Sequence, residues 1–208
     1  MPRDSSGDSS GTDDTSLTPG AQRILDVASE LFYRRGIHAV GVDTIAAESG
    51  VTKRTLYNRF GSKDNLLTTY LETRDRRWRD LIDARLTAEG EDAVRRVLVP
   101  FAVLPEWLTE SDRGCSFVNA FAELPDTDHP GRKVITDEKK WLRAFFHDRL
   151  NEAGVKPTPA GTLAVQLLSL HEGAIVATAI ADADDAAQAT LSAAEALVTA
   201  ALEDGAGR

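Results

Sequence analysis

The sequence has a single cysteine, no long uninterrupted apolar run and no apolar segment near its N-terminus. One cysteine excludes an internal disulfide and fits a reducing compartment. The longest apolar-rich stretch, residues 163–181, is interrupted by Gln166, His171 and Glu172, which argues against a membrane span. The polar N-terminus argues against a signal peptide. We therefore expect a cytoplasmic protein of 208 residues with no membrane partner and one or two domains.

Strand patterns and metal-binding patterns are also missing. No stretch alternates between apolar and polar residues as a β-strand would, and Ala and Leu dominate the apolar residues, which favours helices. The four histidines, at positions 38, 129, 147 and 171, do not have the spacing of metal ligands. These features predict an all-α fold with no bound metal and no cofactor.

Positive charge is scarce in the whole chain but concentrated in one segment. The formal net charge is −9, yet residues 19–63 carry seven Lys or Arg against four Asp or Glu. Within them, residues 51–63 (VTKRTLYNRFGSK) contain four cations and no acid. A net acidic chain normally argues against a nucleic-acid partner, but a phosphate backbone responds to the local charge that it meets.

The basic segment has two different faces if it is helical. Leu56 and Phe60 lie at i and i+4, so one face is apolar. Arg54, Thr55 and Asn58 point roughly the opposite way. Such a helix suits insertion into a DNA major groove, where Arg pairs with guanine and Asn with adenine. The alternative, which this pattern alone leaves open, is a core helix with a solvated basic side.

Capping residues and glycines indicate about nine helices. Thr18 followed by Pro19 is a helix start, Gly36 is a helix end, and Thr52 and Ser62 are further N-caps. The predicted helices cover about residues 19–35, 42–50, 52–60, 62–88, 92–108, 117–124, 131–152, 159–181 and 184–203. Two prolines in the 92–108 segment predict kinks or breaks. The charged run at 74–80 (RDRRWRD) is expected to be a solvated face.

Two motifs give the chain a family resemblance. LFYRRG at the end of the first helix and IAAESGVTKRTLYNRFGSKDNLL after it resemble the TetR family of bacterial transcriptional regulators over residues 20–70. A later stretch, RGCSFVNAFAELPDTDHPGRK, is similar to the regulatory domain of one broad subgroup. The resemblance implies a helix-turn-helix DNA-binding domain at 18–63 and a ligand-binding and dimerisation domain at 64–208. Residues 1–17, rich in Ser, Gly and Asp, are expected to be a disordered acidic tail.

The resemblance assigns roles around the third helix. The positions expected to meet base edges or the nearby backbone are held by Lys53, Arg54, Thr55, Tyr57 and Asn58. Those expected to contact phosphates are held by Thr52, Arg59 and Lys63. Two departures stand out. Gly41 and Val42 occupy positions where the family often has a Ser or Thr, so the phosphate anchor is lost or passes to Thr44. Arg59 replaces a common His.

The regulatory half carries an aromatic cluster and a cysteine. In this family the corresponding helices enclose an effector pocket, so we expect a largely apolar small molecule there. The candidate lining residues are Phe101, Trp107, Cys115, Phe117, Phe121, Trp141, Phe145 and His171. The alternatives are that the aromatics form core, that His171 and Glu172 form a satisfied pair, and that Cys115 is a small buried residue. A redox-sensing thiol with a lowered pKa is a further reading of Cys115.

The last two helices are rich in small residues, and the resemblance implies that they build a homodimer with their symmetry mates. The chain is thus expected to be a ligand-responsive repressor that binds a pseudo-palindromic DNA operator as a dimer. An enzyme built on Cys115 or His171 is the alternative from another class, but no catalytic spacing is recognisable, so we expect no enzyme. A helical small-molecule-binding protein without DNA affinity is the third reading, against which the basic segment argues.

Overall fold

A computed structural model describes residues 17–90 and 92–206, so the predicted acidic tail lies, apart from Leu17, outside the described residues. Within these ranges the chain forms ten α-helices and no β-strand, which confirms the all-α prediction. The helices are α1 (Pro19–Arg35), α2 (Val42–Glu48), α3 (Lys53–Phe60), α4 (Lys63–Ala88), α5 (Ala93–Ala102), α6 (Leu104–Leu108), α7 (Ser116–Glu123), α8 (Pro130–Glu152), α9 (Pro157–Ile180) and α10 (Ala186–Ala206).

The described residues contain one helix more than predicted because the 92–108 segment is divided. α5 ends at Ala102, Val103 separates it from α6, and Pro105 lies in the first turn of α6, where its missing N–H is tolerated. Pro100, the other expected break, remains inside α5. The first, third and fourth helices start where their caps predict: the hydroxyls of Thr18, Thr52 and Ser62 each accept a hydrogen bond from a backbone N–H three residues on.

One apolar core joins the first three helices to the rest of the chain. Ile24, Ile45 and Leu56, from α1, α2 and α3, are fully buried in the same cluster as Leu66 at the start of α4. Phe117 on α7 is also part of this cluster. The helix-turn-helix therefore packs directly on α4 and α7. The domain boundary at residue 63 stays a prediction, since the core continues across it.

The charged run in α4 is only in part the solvated face that its composition predicts: Arg76, Arg77 and Asp80 are exposed, but the other residues of the run are at least partly covered. Trp78 is only 3% exposed and packs against Trp107, with ring centroids 5.0 Å apart. The Arg74 guanidinium lies 4.5 Å from the Trp107 ring centroid and donates to the Ser111 hydroxyl. Arg79 stacks over Trp141 at 4.4 Å. Long basic side chains cover aromatic surface with their stems and planar groups, which a count of charges does not reveal.

Helices α9 and α10 leave apolar surface uncovered. By length and composition α9 is apolar enough to cross a membrane, with a mean hydropathy of 1.5 over its most apolar window, although soluble core helices meet the same criterion. One side of α9 packs on α8 and α10. Val165, Val176 and Ile180 remain exposed, and their spacing places them on one stripe of the helix.

Candidate nucleic-acid interface and effector region

Helix α3 presents its polar residues outward because its apolar side is fixed in the core. Leu56 is fully buried and Phe60 nearly so. On the other side Arg54, Tyr57 and Asn58 are solvent-exposed, as is Arg59 at the flank. Thr55 is half-buried. The faces deduced from helical spacing are therefore the faces in the structure, and three predicted base-reading side chains are free to reach a groove.

Two predicted DNA contacts have local partners at the start of α3. The Thr52 hydroxyl caps the helix by accepting from the Thr55 backbone nitrogen at 3.1 Å. The Lys53 ammonium lies 2.9 Å from an Asp43 carboxylate oxygen on α2, and this hydrogen bond raises the pKa of Lys53. The predicted DNA contact of Lys53 would therefore have to compete with the Asp43 carboxylate on α2. Thr44, the substitute phosphate anchor, is half-buried on α2.

Lys63 is tied to the turn that follows α1. Its ammonium donates to the Ile37 carbonyl oxygen at 2.6 Å and lies 5.9 Å from the Phe32 ring centroid. Burial lowers the pKa of Lys63, although Asp64 and Glu123 act in the opposite direction. An ammonium group has three donors. One is used on Ile37, so the predicted phosphate contact would use the others.

The end of helix α7 binds the same turn through hydrogen bonds to Glu123. The Glu123 carboxylate accepts hydrogen bonds from the backbone nitrogens of Ile37 at 3.0 Å and His38 at 2.9 Å, and the His38 ring lies 3.2 Å away. Burial alone would raise the pKa of Glu123, but these donors hold it below its usual value. Gly36 has φ +87°, and a Cβ there would lie 3.1 Å from Glu123 Oε1. The positive φ of the turn favours glycine, and a side chain there would also press against the Glu123 carboxylate.

The loop before α7 adds a second grip. The Arg113 backbone nitrogen donates to the Tyr33 hydroxyl at 2.8 Å, and that hydroxyl donates to the Gly114 carbonyl at 3.0 Å. The Arg113 guanidinium donates to the carbonyls of Tyr33, at 2.8 Å, and Arg34. We call Arg113 and Glu123, with their partners on α1 and the α1–α2 turn, the α7 clasp. Sequence reasoning missed it, because no local pattern links residues some 80 positions apart.

The predicted effector-lining residues do not surround one cavity. Phe101 and Phe117 are buried among protein side chains, Trp107 packs on Trp78, and Phe145 packs on Trp141. Two of the eight line a cavity or a groove. Phe121 lines a cavity of about 400 Å³ between α7, α8 and α9. Trp141 lines a groove of about 890 Å³ between α4 and α8. Lining by the others remains a prediction and would require side-chain movement.

His171 is buried and Cys115 is partly buried, and burial shifts the pKa of each towards the uncharged form. Burial raises the pKa of Cys115, although the Lys139 ammonium 3.5 Å from its sulfur acts in the opposite direction. The lowered pKa considered for a cysteine at a helix start is therefore wrong. Burial also lowers the pKa of His171, whose ring nitrogens have no hydrogen-bond partner within the described chain.

The predicted His171–Glu172 pair is replaced by another ion pair. The His171 Nδ1 atom is 3.6 Å from Glu172, whereas the Lys139 ammonium is 2.6 Å from the same carboxylate oxygen. Lys139 also lies 3.0 Å from Glu138. Among residues 17–90 and 92–206, no three His, Cys, Asp or Glu side chains are grouped to hold a metal ion.

Known proteins share both the motif and the fold. Residues 24–69 match the model of a family described as bacterial regulatory proteins, tetR family. The HTH-type transcriptional activator FasR of Mycolicibacterium smegmatis is 36% identical over 153 residues, covering 71% of this chain and 67% of FasR. The repressor DhaR of a Mycobacterium species is 27% identical over 129 residues, covering 62% and 64%. A crystal structure of a TetR-family regulator from Streptomyces coelicolor superposes with TM-score 0.80 at 30% identity, covering 88% of this chain and 96% of that one.

Proposed function

This chain belongs to the TetR family of bacterial transcriptional regulators, and from that premise we propose that it binds a pseudo-palindromic operator as a homodimer and is released by a small-molecule effector. TetR-family regulators are DNA-binding proteins rather than enzymes. The raised pKa of Cys115 further weakens the enzyme alternative, because a nucleophilic cysteine acts as its thiolate.

The observation that carries the proposal is the exposure of Arg54, Tyr57 and Asn58 on a helix whose opposite side is anchored by Leu56 and Phe60. An exposed Arg can pair bidentately with guanine and an exposed Asn with adenine. We assign base reading to Arg54, Thr55 and Asn58. Lys53 and Tyr57 flank them. Phosphate contacts are assigned to Thr44, Thr52, Arg59 and Lys63.

Dimerisation is supported by the uncovered stripes on the last two helices. The exposed Val165, Val176 and Ile180 on α9 accompany an exposed row of small residues on α10, at positions 189, 193, 196 and 200 beside Leu197. Small residues let helices approach closely. Two copies related by a two-fold axis would bury both stripes and place two α3 helices in successive major grooves, roughly 34–36 Å apart.

The α7 clasp supports a route for the effector response. The regulatory half contacts the DNA-binding helices α1–α3, which we call the reading head, through α4 and through Glu123 and Arg113. Helix α4 starts at Lys63. A molecule bound beside α7 changes operator affinity only if it favours an arrangement of α7 and α4 with a different separation of the two reading heads. A regulator that blocks transcription while it is bound to DNA, and that its effector releases, is a repressor. DhaR is named a repressor, whereas FasR is named an activator.

The test is a fluorescence anisotropy titration with DNA from the protein's own locus and with random DNA of the same length. We expect the parent to prefer the locus fragment. Arg54→Ala should reduce that preference by about fivefold or more per half-site, since a bidentate pair is worth roughly 1–3 kcal/mol. Arg95→Ala, an exposed change on α5, is the matched control. A parent without preference, or an Arg54→Ala protein that discriminates as the parent does, would refute the proposal.

A further inference from the structure

The cavity between α7, α8 and α9 has two chemically distinct ends. Its apolar part is formed by Val118 and Phe121 of α7, Ile135 of α8 and Leu168 of α9. Val118 and Phe121 are nearly half exposed, so an apolar occupant would remove solvent from them. The cavity volume of about 400 Å³ lies within the range of small-molecule sites.

The other end is cationic. Lys139, Lys140 and Arg143 line the cavity, and no acidic side chain does. The Lys139 charge is already compensated by Glu172 at 2.6 Å and Glu138 at 3.0 Å. By contrast, Lys140 and Arg143 make no ion pair within 4.0 Å to any other residue that the structure describes. Lys140 does feel the charge of Asp137, which lies on the side facing α4, but neither cation has a close acidic partner inside the cavity. Cations without a close partner beside an otherwise apolar cavity raise the affinity for an anion.

The helical spacing of α8 orders these groups along a line. Ile135 lies near the N-terminal end of the lining and Arg143 lies eight residues later, which corresponds to about 12 Å along the helix axis. Lys139 is midway on the same side. A ligand that follows this line meets apolar side chains first and Arg143 at the far end. Lys140 lies about 100° around the helix from Lys139, at the border between the cavity and the groove facing α4.

We propose that the cavity binds an amphipathic anion, a carboxylate or phosphate monoester with a medium-length hydrocarbon tail. The tail lies against Val118, Phe121, Ile135 and Leu168, and the acidic headgroup pairs with Lys140 and Arg143. This inference deepens the proposed function by giving the chemical class of its effector. The position of the cavity also fits the proposed effector response. Val118 and Phe121 lie on α7, the helix that ends in Glu123 of the α7 clasp.

Isothermal titration calorimetry of the full chain, with decanoate below its critical micelle concentration, tests the proposal. Decyl phosphate distinguishes a phosphate from a carboxylate source, and decanamide and decylamine are the neutral and cationic controls. We expect a decanoate or decyl phosphate Kd at least tenfold below that of decanamide, because hydrogen bonds between charged groups outweigh neutral ones. Octanoate should bind more weakly than decanoate by about fourfold per methylene, equivalent to roughly 0.8 kcal/mol for each buried CH₂.

Variants locate the site. Lys140→Ala combined with Arg143→Ala should weaken decanoate binding at least tenfold and leave decanamide binding unchanged, and Phe121→Ala should weaken both. Lys133→Ala is the matched control, since it removes an α8 cation that lines the groove facing α4 but not the cavity, whereas Lys140 lines both. Circular dichroism verifies that each variant folds. Equal affinities for decanoate and decanamide would overturn the proposal, as would a double variant that binds decanoate like the parent.

The remaining outcomes separate this inference from the proposed function. If the double variant changes the oligomeric state in sedimentation velocity and decanoate does not bind, a second copy of the chain covers the face and the inference is wrong. If the parent recognises its operator but binds none of the ligands, the inference fails alone. If decanoate binds through Lys140 and Arg143 but the parent shows no operator preference, the proposed function fails while the site stands.

Discussion

The Glu123 carboxylate accepts a hydrogen bond from the Ile37 backbone nitrogen at 3.0 Å, and the Ile37 carbonyl oxygen in turn accepts one from the Lys63 ammonium at 2.6 Å. One residue of the α1–α2 turn is therefore held on both sides, by the end of α7 and by the beginning of α4. Both of these helices extend into the regulatory half. A shift of either helix would therefore act on this turn.

Replacing Glu123 by Gln should loosen this turn without changing its shape. The amide keeps one oxygen for the two backbone donors but loses the charge, and hydrogen bonds to charged groups contribute roughly 1.5–3 kcal/mol. We expect hydrogen exchange at the amides of Ile37 and His38 to accelerate by about tenfold, together with weaker operator binding. Glu152→Gln, which changes an exposed carboxylate at the end of α8, is the control. Unchanged exchange at both amides would contradict the prediction.

The same carboxylate predicts a pH dependence of stability. The pKa of Glu123 is lower in the folded protein than in the unfolded chain, where it is about 4.3. Its contribution to stability is therefore complete above that unfolded value and is lost as the pH falls through the lower folded value. We expect urea unfolding at decreasing pH, starting from pH 6, to show a smaller loss in the free energy of unfolding for Glu123→Gln than for the parent. Parallel curves for the two proteins would refute this account.

Sequence reasoning predicted the helix-turn-helix almost to the residue because its signals are local. Thr18, Gly36 and Thr52 act on backbone groups within a few positions of themselves, and Leu56 follows a helical period. The α7 clasp and the cavity could not be predicted in this way. Glu123 acts on an amide 86 positions away, so its partner depends on how α7 packs. The stacking of Arg74 and Arg79 of α4 was missed for the same reason, because the tryptophan rings that they cover lie on other helices.

Arg59 and Lys63 are both assigned to phosphates, but only Lys63 also holds the fold together. Arg59→Ala should weaken binding to all DNA sequences and reduce the slope of log K against log salt by about one. Lys63→Ala should reduce the slope similarly and also lower the melting temperature, because it removes the hydrogen bond to Ile37. Anisotropy titrations at several salt concentrations and thermal melts measure both quantities. A Lys63→Ala slope equal to that of the parent, with a lower melting temperature, would leave Lys63 a purely structural role.

We expect the Cys115 thiol to react slowly with alkylating agents. Burial raises its pKa, so the thiolate that reacts with alkylating agents is scarce at neutral pH. We expect iodoacetamide to modify Cys115 at least tenfold more slowly in the folded protein than in urea at pH 7.5. Mass spectrometry follows the reaction. Equal rates in the two states would show that the thiol is accessible and would reopen a redox role.

The dimer face can be tested by placing a charge in the middle of the α9 stripe. Val176 is about half exposed and Ile180 is 79% exposed, yet both are apolar and lie within one helical turn of each other. In a two-fold dimer each substitution is present twice, and burying one aliphatic side chain contributes roughly 1.5–3 kcal/mol. Val176→Glu would also bury two like charges close to the axis. We expect sedimentation equilibrium to show a dimeric parent and a monomeric Val176→Glu protein with unchanged helical content. Ala84→Glu, at an exposed position on α4, should remain dimeric.

Operator affinity should fall in the monomer much more than affinity for random DNA, because a single reading head contacts one half-site only. A Val176→Glu protein that stays dimeric would assign the interface to another face.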